Sequence, residues 1–167
     1  MLKDIVVDTN VFLHADDPRQ EGRQQEAIDF LNKLLEVPTS IAVDEGFDVD
    51  ESRNRSQIGY EYLTNLTAVS LGMRIIIALV AGDRVDTKSR SLNAGARKRI
   101  NQLIRKKSDR AFLGVACNSN SKILCSHDFE DFQKPKRKTI RKDLGVTICE
   151  AVDAIEFLKE DPAVAAD

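Results

Sequence analysis

The sequence predicts a single α/β domain, with three α/β/α layers and a mostly parallel central sheet. The chain has 167 residues, which is the size of one domain. Short apolar runs alternate with longer segments in which apolar residues recur every three or four positions. The runs are typical of strands buried on both faces, and the longer segments of amphipathic helices. Strands separated by helices favour a parallel sheet covered on both faces.

Four short segments are predicted as strands, and each is bounded by polar or turn-forming residues. They are residues 5–7, 40–43, 122–126 and 146–148. The first, Ile5-Val6-Val7, is the clearest, because β-branched residues pack well in a buried sheet. The polar and basic residues between the last two strands are predicted as a loop.

Helical periodicity predicts the elements that connect these strands. Helices are expected at residues 23–37, 97–107 and 151–159. A further helix is expected to start near residue 57, and another to follow Ser108, which would cap it. Residues 69–81 are too apolar for their period to distinguish helix from strand, and we favour a helix. Residues 44–54 are rich in acids and are expected to form an exposed loop. The domain is predicted to span residues 1–160, followed by a flexible tail at 161–167.

Composition excludes several classes of protein. Apolar residues make up 42% and charged residues 31% of the chain, which argues against disorder. Cys117, Cys125 and Cys149 are odd in number and widely spaced, so they suggest buried core residues in a reducing cytoplasm, and neither disulfides nor a zinc knuckle. The longest apolar run is too short to span a bilayer, so no membrane partner is expected.

Several acidic residues lie where predicted elements begin or end. Asp8 follows the first strand, Asp128 and Asp131 follow the strand at 122–126, and Asp109 begins a helix that leads into that strand. The carboxyl ends of parallel strands share one edge of a sheet, where ligands collect. Each acid alone could be only a turn residue or a helix cap. Their joint appearance at element ends predicts one acidic pocket.

Clustered carboxylates repel one another, and a divalent cation relieves that repulsion. Carboxylate oxygens suit Mg²⁺ or Mn²⁺, whereas the sequence holds no Cys/His cluster for structural zinc. One or two such ions can activate water and stabilise the charge that develops on a phosphodiester. The pocket therefore suggests metal-dependent hydrolysis of a phosphate ester.

Three segments, in order and with similar spacing, resemble the motifs of PIN-domain proteins. They are Ile5-Val6-Val7-Asp8-Thr9-Asn10-Val11-Phe12-Leu13, then Ser108-Asp109-Arg110-Ala111-Phe112-Leu113-Gly114-Val115-Ala116, and finally Lys122-Ile123-Leu124-Cys125-Ser126-His127-Asp128-Phe129-Glu130-Asp131-Phe132. Together they extend over nearly the whole chain. Each motif is weak alone, and the three in sequence form a stronger signal.

The resemblance implies a metal-dependent nuclease, commonly a ribonuclease, with an acidic pocket. Carried onto this chain, the catalytic and metal-binding acids are Asp8, Glu61, Asp109 and Asp128, with Asp131 as an accessory ligand. Glu61 is assigned from its surroundings, Ile58-Gly59-Tyr60-Glu61-Tyr62-Leu63, and Asp44 and Glu45 are the alternatives. Many compact PIN-like proteins are toxins that a partner protein neutralises, and many self-associate. The resemblance therefore also implies a possible protein inhibitor, as in toxin–antitoxin pairs, and a possible homodimer.

Four polar residues near these acids have weaker assignments. Ser126 and Asn10 are supporting candidates that could orient a carboxylate or a water molecule, although a local turn bond is an equal alternative. His127 lies between Ser126 and Asp128 in a strand-like segment, so its side chain is expected to point away from both. His14 is expected at the surface or lining the site.

Basic residues flank the predicted acids and suggest a path for nucleic acid. Candidate phosphate contacts are Arg105, Lys106, Lys107 and Arg110 around Asp109, and Lys136, Arg137 and Lys138 after Asp131. The net charge is only −2, so the distribution matters more than the sum. The alternative for both runs is an ordinary solvated surface. Few aromatic residues lie among them, so base stacking is not indicated.

These observations leave alternatives to an RNA-cleaving enzyme. A structure-specific DNA nuclease would use the same site. A haloacid-dehalogenase-like phosphatase also starts with Asp at a strand end, but it needs a second Asp where this chain has Asn10. A non-catalytic RNA-binding or protein-interaction module would need neither metal nor converging acids.

Overall fold

A five-stranded, all-parallel sheet forms the centre of the computed structural model, which describes residues 1–159. The strands are β1 (Asp4–Val7), β2 (Ser40–Asp44), β3 (Val85–Lys88), β4 (Ile123–Cys125) and β5 (Thr147–Cys149). The helices are α1 (Thr9–Ala15), α2 (Arg23–Glu36), α3 (Gln57–Asn65), α4 (Leu71–Ala81), α5 (Ala94–Leu103), α6 (Lys107–Asn118), α7 (Lys134–Leu144) and α8 (Ala151–Lys159). The predicted fold class is confirmed. The predicted tail at residues 161–167 lies outside the described residues.

The strand order β3-β2-β1-β4-β5 places β1 at the centre of the sheet. The chain builds β2 and β3 on one side of β1, then returns to add β4 and β5 on the other. The point between β1 and β4, where this direction reverses, is the usual position of ligand sites in open α/β sheets. Val7 pairs with Cys125 there, and the Asp8 N–H continues the ladder to the Cys125 carbonyl at 2.9 Å.

The helices bury the sheet as their apolar periodicity predicts. All four residues of β1 are buried, and α2 contributes Ala27, Phe30, Leu31 and Leu34 to the core. The apolar segment whose period was ambiguous forms α4, as we favoured. Cys125 and Cys149 are buried on neighbouring strands, Cys117 is partly buried, and all three are free thiols. No helix within residues 1–159 is long and apolar enough to cross a membrane.

Three elements differ from the prediction. The loop expected after Asp131 is instead largely helix α7, which was obscured because Ile140 is its only buried residue. Pro135 in its first turn and Gly145 at its C-cap, with φ of 71°, mark its two ends. Strand β3 and helix α1 were not predicted. β3 is an edge strand with a single apolar residue, Val85, so it carries no hydrophobic pattern.

Ser108 does not cap α6, contrary to the prediction. The helix begins two residues earlier than predicted, at Lys107, and Lys106 occupies the N-cap position without a side-chain bond to the helix within the described chain. Asp109 therefore lies inside the first turn, where a carboxylate interacts favourably with the helix dipole.

Asp44 joins the end of β2 to the start of α3. Its buried carboxylate accepts hydrogen bonds from the Ser56 hydroxyl at 2.5 Å, the Gln57 N–H at 2.7 Å and the Ile58 N–H at 2.9 Å. Ser56 in turn caps the helix by accepting from the Gly59 N–H at 2.8 Å. These bonds satisfy the first turn of α3 and set its position against the sheet.

Replacing Asp44 by Ala is expected to lower the free energy of unfolding by about 2–3 kcal/mol, because several buried donors lose a charged acceptor. Urea denaturation monitored by circular dichroism measures the change. Glu45→Ala removes the neighbouring, more exposed carboxylate and should cost less than about 1 kcal/mol. Equal losses for the two variants would contradict this structural role of Asp44.

Candidate acidic site

Asp8 lies immediately after β1, at the centre of the carboxyl edge of the sheet. Its side chain is only 4% exposed. Its Oδ2 accepts hydrogen bonds from the Ser126 hydroxyl at 2.7 Å and the Asn10 side-chain amide at 3.2 Å. The structure thus places both predicted supporting residues on Asp8. Burial raises the pKa of Asp8 to about 6, although the Ser126 bond lowers it, and the nearby Asp128 carboxylate raises it further.

Asp109 reaches the same region from the first turn of α6. It is 5% exposed, and its Oδ2 is buried with no hydrogen-bond partner among residues 1–159. Burial raises the pKa of Asp109 to about 8, with further contributions from the Asp8 and Asp128 carboxylates. Because each of these three carboxylates affects the pKa of another, they lie in one neighbourhood of the structure.

Asp128 and Asp131 follow β4, and each carboxylate is held by several donors. Asp128 accepts from the N–H groups of Glu130 at 2.8 Å and Asp131 at 2.9 Å, and its Oδ2 lies 3.3 Å from the Lys106 ammonium. The structure therefore brings Asp128 to the edge that Asp8 occupies, with a lysine beside it.

Asp131 braces the loop before α6. It accepts from the N–H groups of Lys106 at 2.9 Å and Arg105 at 3.2 Å, and the Lys136 ammonium lies 3.6 Å away. Burial acts to raise the pKa of Asp131, but these N–H groups outweigh it, so the pKa is lowered. Asp109, beside it, has the raised pKa, so Asp109 holds the proton when the pair shares one.

Glu61 is not brought into this group. It is partly exposed and lines a cavity beside α6. Its carboxylate accepts a hydrogen bond from the Asn65 side-chain amide at 3.4 Å. The α6 residues that line this cavity include Ser108, Ala111 and Val115, on a face about 180° around the helix from Asp109. Glu61 and Asp109 therefore lie on different sides of α6.

The two alternatives to Glu61, Asp44 and Glu45, form their hydrogen bonds and ion pairs with other parts of the structure. Asp44 fixes the start of α3, as described above. Glu45 accepts from the Arg90 N–H at 3.1 Å and pairs with the Arg90 guanidinium at 3.6 Å. None of the hydrogen bonds and ion pairs that these three acids form within residues 1–159 involves Asp8, Asp109 or Asp128.

Helix α3 instead presents Tyr62 to the end of β1. The tyrosine is 1% exposed, and its hydroxyl donates to the Val7 carbonyl at 2.5 Å. Burial raises the pKa of Tyr62, and the Asp8 carboxylate raises it further. Tyr62 has no predicted role at the site, and it entered the prediction only as part of the surroundings of Glu61. Only its helical spacing from Ile58 could have indicated that it points inward.

A pair of histidines lies behind Asn10. His127 Nε2 accepts from the Ala151 N–H at 3.2 Å, so the proton of the neutral ring is on Nδ1, which donates to His14 Nδ1 at 2.8 Å. Burial lowers the pKa of His127 to about 4, which keeps the ring neutral at physiological pH. The backbone N–H of His127 donates to Asn10 Oδ1 at 2.9 Å, so the segment after β4 holds the residue that contacts Asp8.

The predicted nucleic-acid contacts fall into three groups. Lys106 and Lys136 pair with acids of the site. Arg110 and Arg137 donate to backbone carbonyls, at 2.7 Å and 2.6 Å, and are partly buried. Three cations remain exposed, and these are Arg105, Lys107 and Lys138. Because these three side chains are exposed, they are the predicted nucleic-acid contacts that a phosphate backbone could reach most easily.

The sequence resemblance implies a divalent metal at this carboxylate site. Within residues 1–159, no three His, Cys, Asp or Glu side chains are already gathered as ligands around one point. The donors nevertheless have the right chemistry: three close carboxylates, two with raised pKa values, and one buried oxygen without a partner on Asp109. Such hard oxygen donors fit Mg²⁺ or Mn²⁺.

No protein-family model matches this sequence, and a search of curated proteins found no significant match.

Replacing Asp109 by Asn is expected to stabilise the metal-free protein, and more at pH 8 than at pH 5. The unfolded chain releases the Asp109 proton near 3.8, whereas the folded protein holds it to about 8. Between these values each rise in pH favours unfolding of the wild type, and the asparagine lacks this penalty. Thermal melts in EDTA should show Tm rising by several degrees at pH 8. An Asp153→Asn variant, exposed on α8, should melt like wild type at both pH values.

A Tm gain that is equal at pH 5 and pH 8 would contradict the raised pKa of Asp109. A loss of stability at pH 8 would show that the ionised carboxylate is favourable in its surroundings.

Proposed function

We propose that this protein is a metal-dependent ribonuclease with a PIN-like acidic site. The observation that carries the proposal is the position of Asp8, Asp109 and Asp128. They lie close together at the point where the strand order reverses, and burial and mutual repulsion raise the pKa of two of them. The resemblance of three sequence segments to PIN-domain motifs adds support, because each segment carries one of these three acids.

The residues around the acids give the site its organisation. Ser126 and Asn10 hold the Asp8 carboxylate from two sides. Asp131 anchors the N–H groups that precede α6, and so keeps Asp109 near the pocket. When bound, Mg²⁺ or Mn²⁺ would lower the pKa of a water molecule and neutralise charge on the phosphate. Asp8, Asp109 and Asp128 would hold this metal.

Within residues 1–159, Lys106 is the cation that forms an ion pair with one of the three acids. Its ammonium lies 3.3 Å from Asp128 and 3.6 Å from Glu130, and its side chain is about half exposed. A cation there reduces the repulsion among the carboxylates and would attract the phosphate group of a substrate. In this proposal Lys106 orients the scissile phosphate.

The biological setting of the proposed enzyme rests on the resemblance. We propose a cytoplasmic protein that acts on RNA, and whose activity a protein inhibitor or self-association would restrain. The free thiols at Cys117, Cys125 and Cys149 are compatible with a reducing compartment.

Cleavage of an end-labelled single-stranded RNA in Mn²⁺ tests the proposed activity. Asp8→Asn and Asp128→Asn should each reduce cleavage by about a hundredfold, because each removes a negatively charged metal ligand. EDTA should abolish cleavage by the wild type, and the products should carry 5′-phosphate ends. Asp153→Asn should cleave like wild type.

The same assay separates the alternatives. Preference for single-stranded or flap DNA would favour a structure-specific DNA nuclease. RNA binding that depends on salt but not on metal, with no cleavage, would favour a non-catalytic binding module. Glu61→Gln gives the contribution of Glu61, which we expect to be smaller than that of Asp8 because its contacts lead away from the acidic group.

Exposed cations beside the site should determine how RNA binding depends on salt. Each phosphate contact contributes about 0.7 to the slope of log affinity against log salt for a single strand. The double variant Arg105→Ala/Lys138→Ala should therefore bind RNA more weakly and flatten this slope by roughly 1 in EDTA. Fluorescence anisotropy at several salt concentrations measures both. Arg74→Ala removes an exposed cation of α4 and should leave the slope unchanged, whereas an equal effect would contradict a localised path.

A further inference from the structure

A second cavity, separate from the acidic site, lies on the outer side of α6. It has a volume of about 730 Å³, within the usual range for small-molecule sites. Its walls come from Asp44, from residues 54–57, from Tyr60 and Glu61, from Arg90 and Leu92, and from α5 and α6. Because α6 separates it from Asp109, this cavity can be assessed whether or not the acids bind a metal.

The charge of the cavity is strongly positive for a protein whose net charge is −2. Its walls carry five cationic side chains and two acidic ones; the cations are Arg55, Arg90, Arg97, Lys107 and Arg110. One of the acids, Asp44, accepts hydrogen bonds from Ser56 and from the first N–H groups of α3, and the Arg90 guanidinium, 3.7 Å away, offsets its charge. The remaining positive charge attracts an anion.

The fold itself leaves several of these cations uncompensated. Arg97 and Lys107 form no ion pair with any residue in 1–159. Among the described residues, Arg55 and Arg110 donate only to backbone carbonyls, which leaves their charges intact. Lys107 and Ser108 also bring the first turn of α6 to the cavity, where the helix dipole favours negative charge.

An aromatic ring stands at the edge of the same cavity. Tyr60 is 61% exposed, whereas Tyr62, two residues later in α3, is buried in the core. Leu92 and Ile100 add an apolar wall. The Glu61 carboxylate and the Asn101 side chain are acceptors beside this wall, suited to the amino or hydroxyl groups of a ligand.

We propose that this cavity binds a nucleotide. The cations and the start of α6 hold its phosphates, and Tyr60 stacks on its base. The ligand chemistry, phosphate next to an aromatic base, occurs both in a free nucleotide and in a single-stranded RNA. The proposal gives Glu61 a place in this cavity, as an acceptor for the base or ribose.

Titration of the wild-type protein with ATP and with a single-stranded RNA hexanucleotide, in EDTA, tests the proposal. EDTA removes divalent metal, so the result is independent of the proposed nuclease activity. Arg97→Glu and Lys107→Glu should each weaken binding by about tenfold or more, because each loses a charged contact. Lys98→Glu is the matched control: it makes the same charge change one residue further along α5, outside the cavity, and should alter the affinity by less than about twofold.

Tyr60 provides the test for the base. Tyr60→Phe keeps the ring and should bind like wild type, whereas Tyr60→Ala should weaken ATP binding by about tenfold. Inorganic phosphate lacks a base, so its competition with ATP should persist in Tyr60→Ala. Circular dichroism melts of every variant separate lost binding from lost folding.

The outcomes distinguish the sources of the ligand. Binding of ATP alone, sensitive to Arg97→Glu, supports a free nucleotide, and binding of the hexanucleotide alone, with the same sensitivity to Arg97→Glu, supports a strand in the cavity. Mutual competition shows that the cavity accepts both. No saturable binding of either probe would overturn the proposal, and so would equal losses in Arg97→Glu and Lys98→Glu.

Discussion

The pairing of β1 with β4 is the interaction on which the rest of the site depends. It joins two segments more than a hundred residues apart and aligns Val7 with Cys125, so that both strands end at the same level. The ladder continues through the Asp8 N–H to the Cys125 carbonyl, and Ser126, the residue after β4, donates its hydroxyl to Asp8. A shift of one residue would turn Ser126 away from Asp8, because side chains alternate across a sheet.

This geometry has an electrostatic cost that the surrounding residues only partly offset. Asp8 and Asp109 are buried beside Asp128, and the pKa values of the first two are raised. Hydrogen bonds and the Lys106 ammonium stabilise the carboxylates of Asp128 and Asp131. A fold selected for stability alone would not concentrate acids in this way, so the uncompensated repulsion among these buried carboxylates is typical of a functional site.

Much of the fold follows from local patterns. The buried strands and amphipathic helices have the periodicity that their surroundings require, and the parallel sheet follows from their alternation. The misassigned elements have weak patterns for a physical reason. β3 pairs with another strand on one side only, and α7 buries a single side chain. Helix α1 begins directly after Asp8, and its polar residues Thr9 and Asn10 resemble a turn. The start of α6 at Lys107 instead of after Ser108 lies within the usual uncertainty of helix ends.

By itself, the sequence determined the alternation of strands and helices and the order of Asp8, Asp109 and Asp128 at element ends, because both are local properties of the chain. Only the tertiary structure decided which side chains meet. It directs Tyr62 to the end of β1, commits Asp44 to the start of α3, and places Glu61 in a cationic cavity across α6 from Asp109. The reason is that the direction of a side chain depends on the rotation of its helix against the sheet, which packing sets and sequence spacing does not.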